Sequence, residues 1–493
     1  MILSVIPTES RSLKNKLGIT LSVLVVFSLL ANAVIGVLWI CRNFNFIPVY
    51  GDTPEYFALS KTLVVDQYRG VFYPAIIRVA SILSEIFATT PQVLIYAMQL
   101  FLALIAAFSL CTLILRNRPF AKVVSLVVAI SVTLNPLIAH FCMSVLTDSL
   151  AASFTVIFSA ALIRACAKEA TVKRFFINSL IAALTLTLLS TLRVDKLYLS
   201  IAVFLLALCA LCLSRKNKSS IYKLLVGLLL LVVSVGSAIA IKNTTTVYNS
   251  QRPPLDFSSM AFNRVVWPRL TEVYPYLSDA VKSHITMADA ELFDSHNNYV
   301  FPLLTRELAK ADGKKTIDAV TLATIKYFPL QVATNTLFDF TKYSLPNLQF
   351  PLEAYNILPK SAGTSWTIER MEMLRPLTTK IYLIIGLIQF IAVGLLVVWF
   401  FSTQVSIYKL CKENYLTVLI ILSTIFTNSA LFALSSGMHA HIRYAIPTYT
   451  IIQILLASSA MLAMYRLAPG RESHAPMEAA QKSIQPTHHE NLQ

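Results

Sequence analysis

The sequence predicts an all-α polytopic membrane protein of about ten transmembrane helices, and three observations carry that prediction. Of the 493 residues 56% are hydrophobic and only 13% are charged, with a mean hydropathy of +0.66, whereas soluble domains carry about a quarter charged residues. Apolar runs of roughly 18 to 25 residues, the length a helix needs to cross about 30 Å of hydrocarbon, recur along the chain. Basic residues gather in alternate connections between those runs, as the positive-inside rule requires.

The runs lie near 18–41, 91–115, 120–139, 143–166, 175–192, 197–214, 221–241, 379–402, 415–435 and 443–465. Arg11, Lys14 and Lys16 precede the first. The clusters Arg116/Arg118/Lys122, Arg164/Lys168/Lys173/Arg174, Arg215/Lys216/Lys218/Lys223, Lys409/Lys412 and Arg466/Arg471 then fall on the same face. That face is the expected cytoplasmic side of a plasma (inner) membrane, with both termini on it. Ala31-Asn32-Ala33 resembles a signal-peptidase site. The apolar stretch continues through Val34 to Ile40, however, and is long enough to span, so the first run is expected to stay.

The net charge of +16 is therefore a topological signal. No basic stripe interleaved with aromatic residues accompanies it, so nucleic acid is not expected as a partner. The cysteines, among them Cys111, Cys142 and Cys166, sit in or at the ends of spans without metal-ligand spacing and read as small apolar helix residues.

Four regions follow: a transmembrane module over 1–241 with a first outer loop at 42–90, an extracytoplasmic loop domain at 242–378, C-terminal transmembrane helices at 379–465, and a disordered cytoplasmic tail at 466–493. Within the first outer loop, 53–66 and 74–88 show helical spacing of apolar residues but are too short to span, which fits helices lying in the membrane interface. The loop domain shows helical patterns near 278–292, 300–312 and 315–328. An amphipathic stretch from Phe328 to Tyr343 points back to the membrane surface.

Ionisable residues at the outer ends of spans are the candidates for chemistry. In Asp52-Thr53-Pro54-Glu55 two readings stand: both acids start a helix as cap and capping-box partner around Pro54, or they act on a polar substrate at the water–lipid boundary. Asp148 lies in an apolar run near the outer end of the fourth span, where a charge is costly and by default functional. It could orient an acceptor, pair with Arg193, or join Asp52 around a divalent ion. Arg193 and Arg443 read either as surface anchors or as fixed positive charge for an anionic group. His439 and His441 fall in a tight outer loop and read as solvated, with His441 also a candidate for anion binding.

Taken in order, these segments resemble the GT-C superfamily of membrane glycosyltransferases, which includes protein O-mannosyltransferases and lipid A aminoarabinose transferases. Gly51-Asp52-Thr53-Pro54-Glu55-Tyr56-Phe57-Ala58-Leu59 is similar to that family's D-x-x-x-Y-x-x-L/A segment, and Tyr73-Pro74-Ala75-Ile76-Ile77 to its Pro-led second interfacial helix. Leu146-Thr147-Asp148-Ser149-Leu150 is similar to an L-x-[E/D]-x-L at the start of span four. Leu192-Arg193 matches an outer-face L-R, and Arg443-Tyr444-Ala445-Ile446-Pro447 an R-Y-x-x-P opening a late span. The match covers most of 20–240 and 440–450. The chain lacks the adjacent Asp-Glu pair of the protein mannosyltransferases, and its loop after span seven differs from that of the aminoarabinose transferases, so neither substrate is carried over.

The resemblance implies a seven-span GT-C module and transfer of a sugar from a polyprenyl phosphate carrier to a cell-envelope glycan, glycolipid or protein on the outer face. It implies Asp52 as general base with Glu55 as the second candidate, and Tyr56, Asp148, Arg193, His441 and Arg443 as substrate-binding residues. A divalent metal is a possible cofactor. The alternatives are a transporter or flippase of a lipid-linked or small anionic substrate, a polymerase or ligase of lipid-linked glycans, and a structural or assembly protein. A transporter would place its key charges near the bilayer midplane rather than at one face.

Overall fold

The computed structural model describes residues 8–43, 52–66, 69–116, 120–167, 170–193, 195–214, 218–247, 259, 261–262, 265–266, 269–295, 300–344, 407–435 and 445–467. The first half of the chain runs through α1 (Thr8–Asn43), α2 (Thr53–Thr62), α3 (Phe72–Ile86), α4 (Pro91–Ile114), α5 (Ala121–Thr133), α6 (Pro136–Cys142), α7 (Asp148–Cys166), α8 (Val172–Leu192), α9 (Asp195–Ser214) and α10 (Lys218–Thr245). Among the described residues there is no β-strand. The chain is a helical integral membrane protein: α1, α4, α7, α8 and α10 each contain a segment long and apolar enough to cross a membrane, and α5 and α9 carry shorter apolar segments.

Two further helices, α17 (Ile407–Ser435) and α18 (Ile446–Leu467), also carry shorter apolar segments. Each predicted run thus coincides with an apolar helix, except 379–402, which lies outside the described residues together with the tail at 468–493. One run is not continuous. The predicted span 120–139 stops at Thr133, and α6 begins after Asn135, whose side-chain oxygen accepts a hydrogen bond from the Leu137 amide at 3.1 Å. Pro136 explains the break: it has no N–H to carry α5 onward, while its fixed φ suits the first turn of a new helix.

Helix α7 is buried on nearly every side, and α10 is the most exposed of the five spanning helices. Central position follows from composition: α7 is lined with small residues such as Ala151, Ala152, Ser159 and Ala160, which let its neighbours approach closely. It packs on α4, α8, α17 and α18, whereas α1 packs on α18, α5 and α6. A Cβ built on Gly36 of α1 would stand 1.6 Å from the Leu134 carbonyl oxygen, so this crossing needs glycine.

The loop after α10 folds separately around a second hydrophobic core. It contains α11 (Leu270–Val273), a 3-10 turn (Tyr274–Tyr276), α12 (Asp279–Lys282), α13 (Met287–Ser295), α14 (Val300–Leu308), α15 (Gly313–Tyr327) and α16 (Pro329–Ser344). The expected helical patterns fall on these elements. Phe262 and Phe293 meet edge to face at 5.5 Å in that core, beside Ile317 and Val320. The buried carboxylate of Glu307 is neutralised by Arg306 and Lys310, so its charge is paired as burial demands. Helix α16 lies along α17, with Phe340 and Phe426 in contact at 5.3 Å.

One short link joins this loop to the first outer loop. The Val65 amide donates to the Thr245 carbonyl at 2.9 Å, and the Val247 amide donates to the Val65 carbonyl at 2.8 Å. The result is an isolated parallel bridge between Val65 and Thr246 at the exit from α10.

Candidate functional site

Helix α2 starts at the pair of acids, but not by the expected capping. Asp52 occupies the N-cap position with its backbone already helical, and its carboxylate makes no capping hydrogen bond. The guanidinium of Arg69 claims both acids instead. Its Nη2 donates to Asp52 Oδ1 at 3.0 Å and forms a short hydrogen bond to Glu55 Oε2. Thr53 helps dock the helix, its hydroxyl donating to the Val145 carbonyl at 3.3 Å.

Tyr56 lies one turn along α2 and is 6% exposed. Arg69 stands over its ring, 4.8 Å from the centroid, a cation–π contact strengthened by partial desolvation. Burial raises the Tyr56 hydroxyl above the usual phenol range, with the nearby Asp52 charge adding to it against Arg69 and a hydrogen bond with Thr147. The hydroxyl therefore stays protonated. Beneath it, Tyr73 of α3 packs edge to face at 5.0 Å.

Gln99 of α4 sets the floor. Its amide donates to the carbonyls of Cys142 at 2.7 Å and Ser144 at 3.0 Å, fixing the turn that leads to Thr147 and Asp148. Asp148 is the first residue of α7, and Arg193 follows the last residue of α8. An acid at a helix N-terminus and a base at a C-terminus both complement the helix dipole. The two helices are neighbours, and Arg193 Nη1 donates to Asp148 Oδ1 at 2.7 Å, with side chains 15% and 3% exposed. Of the options open for Asp148, this geometry realises the pairing with Arg193.

Both ion-pair groups thus meet around Tyr56, whose hydroxyl bonds Thr147 and whose ring carries Arg69. Burial opposes the charge on Arg69, but the bond to Glu55 and the neighbouring Asp52 outweigh it, so the guanidinium is held charged more firmly than a free one. Its Nε is buried and has no hydrogen-bond partner among the described residues. His441 and Arg443 lie outside the described residues, as does His439. Among the described residues, no group of three or more His, Cys, Asp or Glu is arranged to hold a metal ion.

Arg69 escaped the reading of the sequence, although an Arg-Gly pair between two interfacial helices was the available signal. Its position depends on Gly70. A Cβ there would stand 1.9 Å from the Thr191 carbonyl oxygen and 2.7 Å from the Leu192 carbonyl carbon. The 69–70 segment is therefore pressed against the end of α8, immediately before Arg193. Gly70→Ala is expected to lower stability by about 1–3 kcal/mol, read as a drop in the thermal unfolding midpoint. An unchanged midpoint would contradict the close approach.

Fold and site together define a helical membrane protein with a partly buried cluster of carboxylates and guanidinium groups at one end of its bundle. No protein-family model matches the chain, and no curated protein is similar to it. Solved structures similar to it include ArnT from Cupriavidus metallidurans bound to undecaprenyl phosphate, at 10% identity, covering 87% of this chain and 77% of that one, with a TM-score of 0.35. The same protein in the apo state matches with equal identity and coverage and a TM-score of 0.36. At that identity and score the likeness assigns no chemistry.

Proposed function

We propose that the chain is a membrane glycosyltransferase of GT-C type, moving a sugar from a polyprenyl phosphate carrier to a cell-envelope acceptor on the extracytoplasmic face, with Asp52 as general base. The observation that carries this reading is the convergence of Asp52, Glu55, Arg69, Asp148 and Arg193 around Tyr56 at one end of the bundle. Arg164 and Lys223, of the basic clusters that the positive-inside rule assigns to the cytoplasmic side, bond to Ser109 and Ala170 at the opposite end.

In the reaction the bond between the sugar C1 and the phosphate oxygen breaks, the acceptor oxygen bonds to C1, and the acceptor proton passes to the Asp52 carboxylate. The carrier leaves as polyprenyl phosphate, whose added negative charge needs fixed positive charge in a water-poor cleft. Arg69 suits that task. Its guanidinium is held charged and lies against both carboxylates, so a phosphate drawn to it competes with them. Phosphate competing for Arg69 would loosen its grip on Asp52, so donor binding and release of the base are linked. Asp148 holds Arg193 as the second ion pair of the cluster. The loop domain over 242–378 is the part that selects the acceptor.

The test is a transfer assay with purified protein, a panel of polyprenyl phosphosugars and a set of envelope acceptors. Arg69→Gln is expected to raise the donor KM by at least tenfold, the loss of one charge-assisted contact. Turnover of none of the donors, with transport of a lipid-linked substrate in vesicles instead, would replace this reading with a transporter.

A further inference from the structure

Far from that cluster, a groove of 360 Å³ runs between α4 and α5, lined among the described residues by Leu104, Ile105, Phe108, Val123, Leu126 and the cation Lys122. Val123 and Leu126 are 61% and 44% exposed, so the groove opens sideways from the bundle. Both helices are apolar along this face. Within a bilayer such a groove is filled by a hydrocarbon chain.

Lys122 gives the groove a polar end. It sits in the first turn of α5, where the helix dipole disfavours a cation, and that turn holds no acidic residue. Helix stability therefore does not account for its place. Arg164 bonds to Ser109 and Thr112 near the same end of α4, which puts Lys122 at the headgroup level of that leaflet. An exposed ammonium at the mouth of an apolar slot complements an anionic headgroup, and a zwitterionic one only poorly.

We infer that this groove is a binding site for an anionic phospholipid, with one acyl chain laid along Leu104, Ile105 and Phe108 and the headgroup phosphate on Lys122. The site is independent of the proposed transferase reaction and stands whether or not that reading holds.

Lipid binding is measured on the full-length protein, purified in detergent and stripped of lipid, by native mass spectrometry with phosphatidylglycerol and phosphatidylcholine. The wild type is expected to hold phosphatidylglycerol about fivefold more tightly, the worth of one lysine near an anionic lipid. Lys122→Gln removes that preference, Lys122→Arg keeps it, and Val123→Phe, which fills the groove, weakens both lipids. Lys173→Gln, at another exposed cation of the same end, leaves the preference intact. Equal binding of the two lipids by the wild type, or an undiminished preference in Lys122→Gln, overturns the assignment. Because Lys122 is exposed, its replacement disturbs no packing, and gel filtration verifies that each variant stays folded.

Discussion

Asp52→Asn is expected to slow sugar transfer by about 10² to 10⁴-fold, the usual contribution of a positioned general base. The thermal midpoint should move little, because the Asp52 side chain is 28% exposed, makes no capping hydrogen bond, and leaves Arg69 its bond to Glu55. Arg69 keeps Glu55 as a partner in this variant, so the cluster stays assembled and the donor KM stays near the wild-type value. Glu55→Gln supplies the contrast: it removes the other partner of the same guanidinium and leaves Asp52 in place, so its loss in kcat is smaller. A reversed order, with Glu55→Gln the more damaging in kcat, would move the proton to Glu55. Full activity of both variants would remove the base from this helix altogether.

The second large effect concerns stability. Asp148→Ala strips Arg193 of its paired carboxylate inside the bundle, and breaking one side of a buried ion pair typically costs about 3–5 kcal/mol. The loss is read in the thermal midpoint of the purified protein. Asp148→Leu combined with Arg193→Met separates architecture from chemistry, since a buried pair replaced by apolar side chains of similar volume is often near neutral. That double variant is expected to recover most of the stability and none of the activity. Recovery of both would reduce the pair to a strut between α7 and α8.

The membrane class and most spans were legible because burial in lipid demands long apolar runs, which are local in sequence. So was the gathering of Asp148 and Arg193 at one end, since each lies at the outer boundary of its own run. The interruption at Pro136 was legible in principle, yet a hydropathy window averages across it. The partners of Asp52 and Glu55 were not. Asp-Thr-Pro-Glu has the local form of a helix start, and its carboxylates turn away from that role because Gly70, packed on Thr191, brings Arg69 within reach. A contact decided by how two loops seat against a helix end leaves little trace in either loop. The run at 379–402 and the segment with His441 and Arg443 lie outside the described residues, so the substrate-binding part expected of His441 and Arg443 stays an expectation.

The two backbone hydrogen bonds between Val65 and the exit of α10 have a mechanical consequence. They fasten the backbone four residues before Arg69 to the stalk of the loop domain. A shift of that exit is therefore passed to the backbone at residue 65 for as long as the two hydrogen bonds hold.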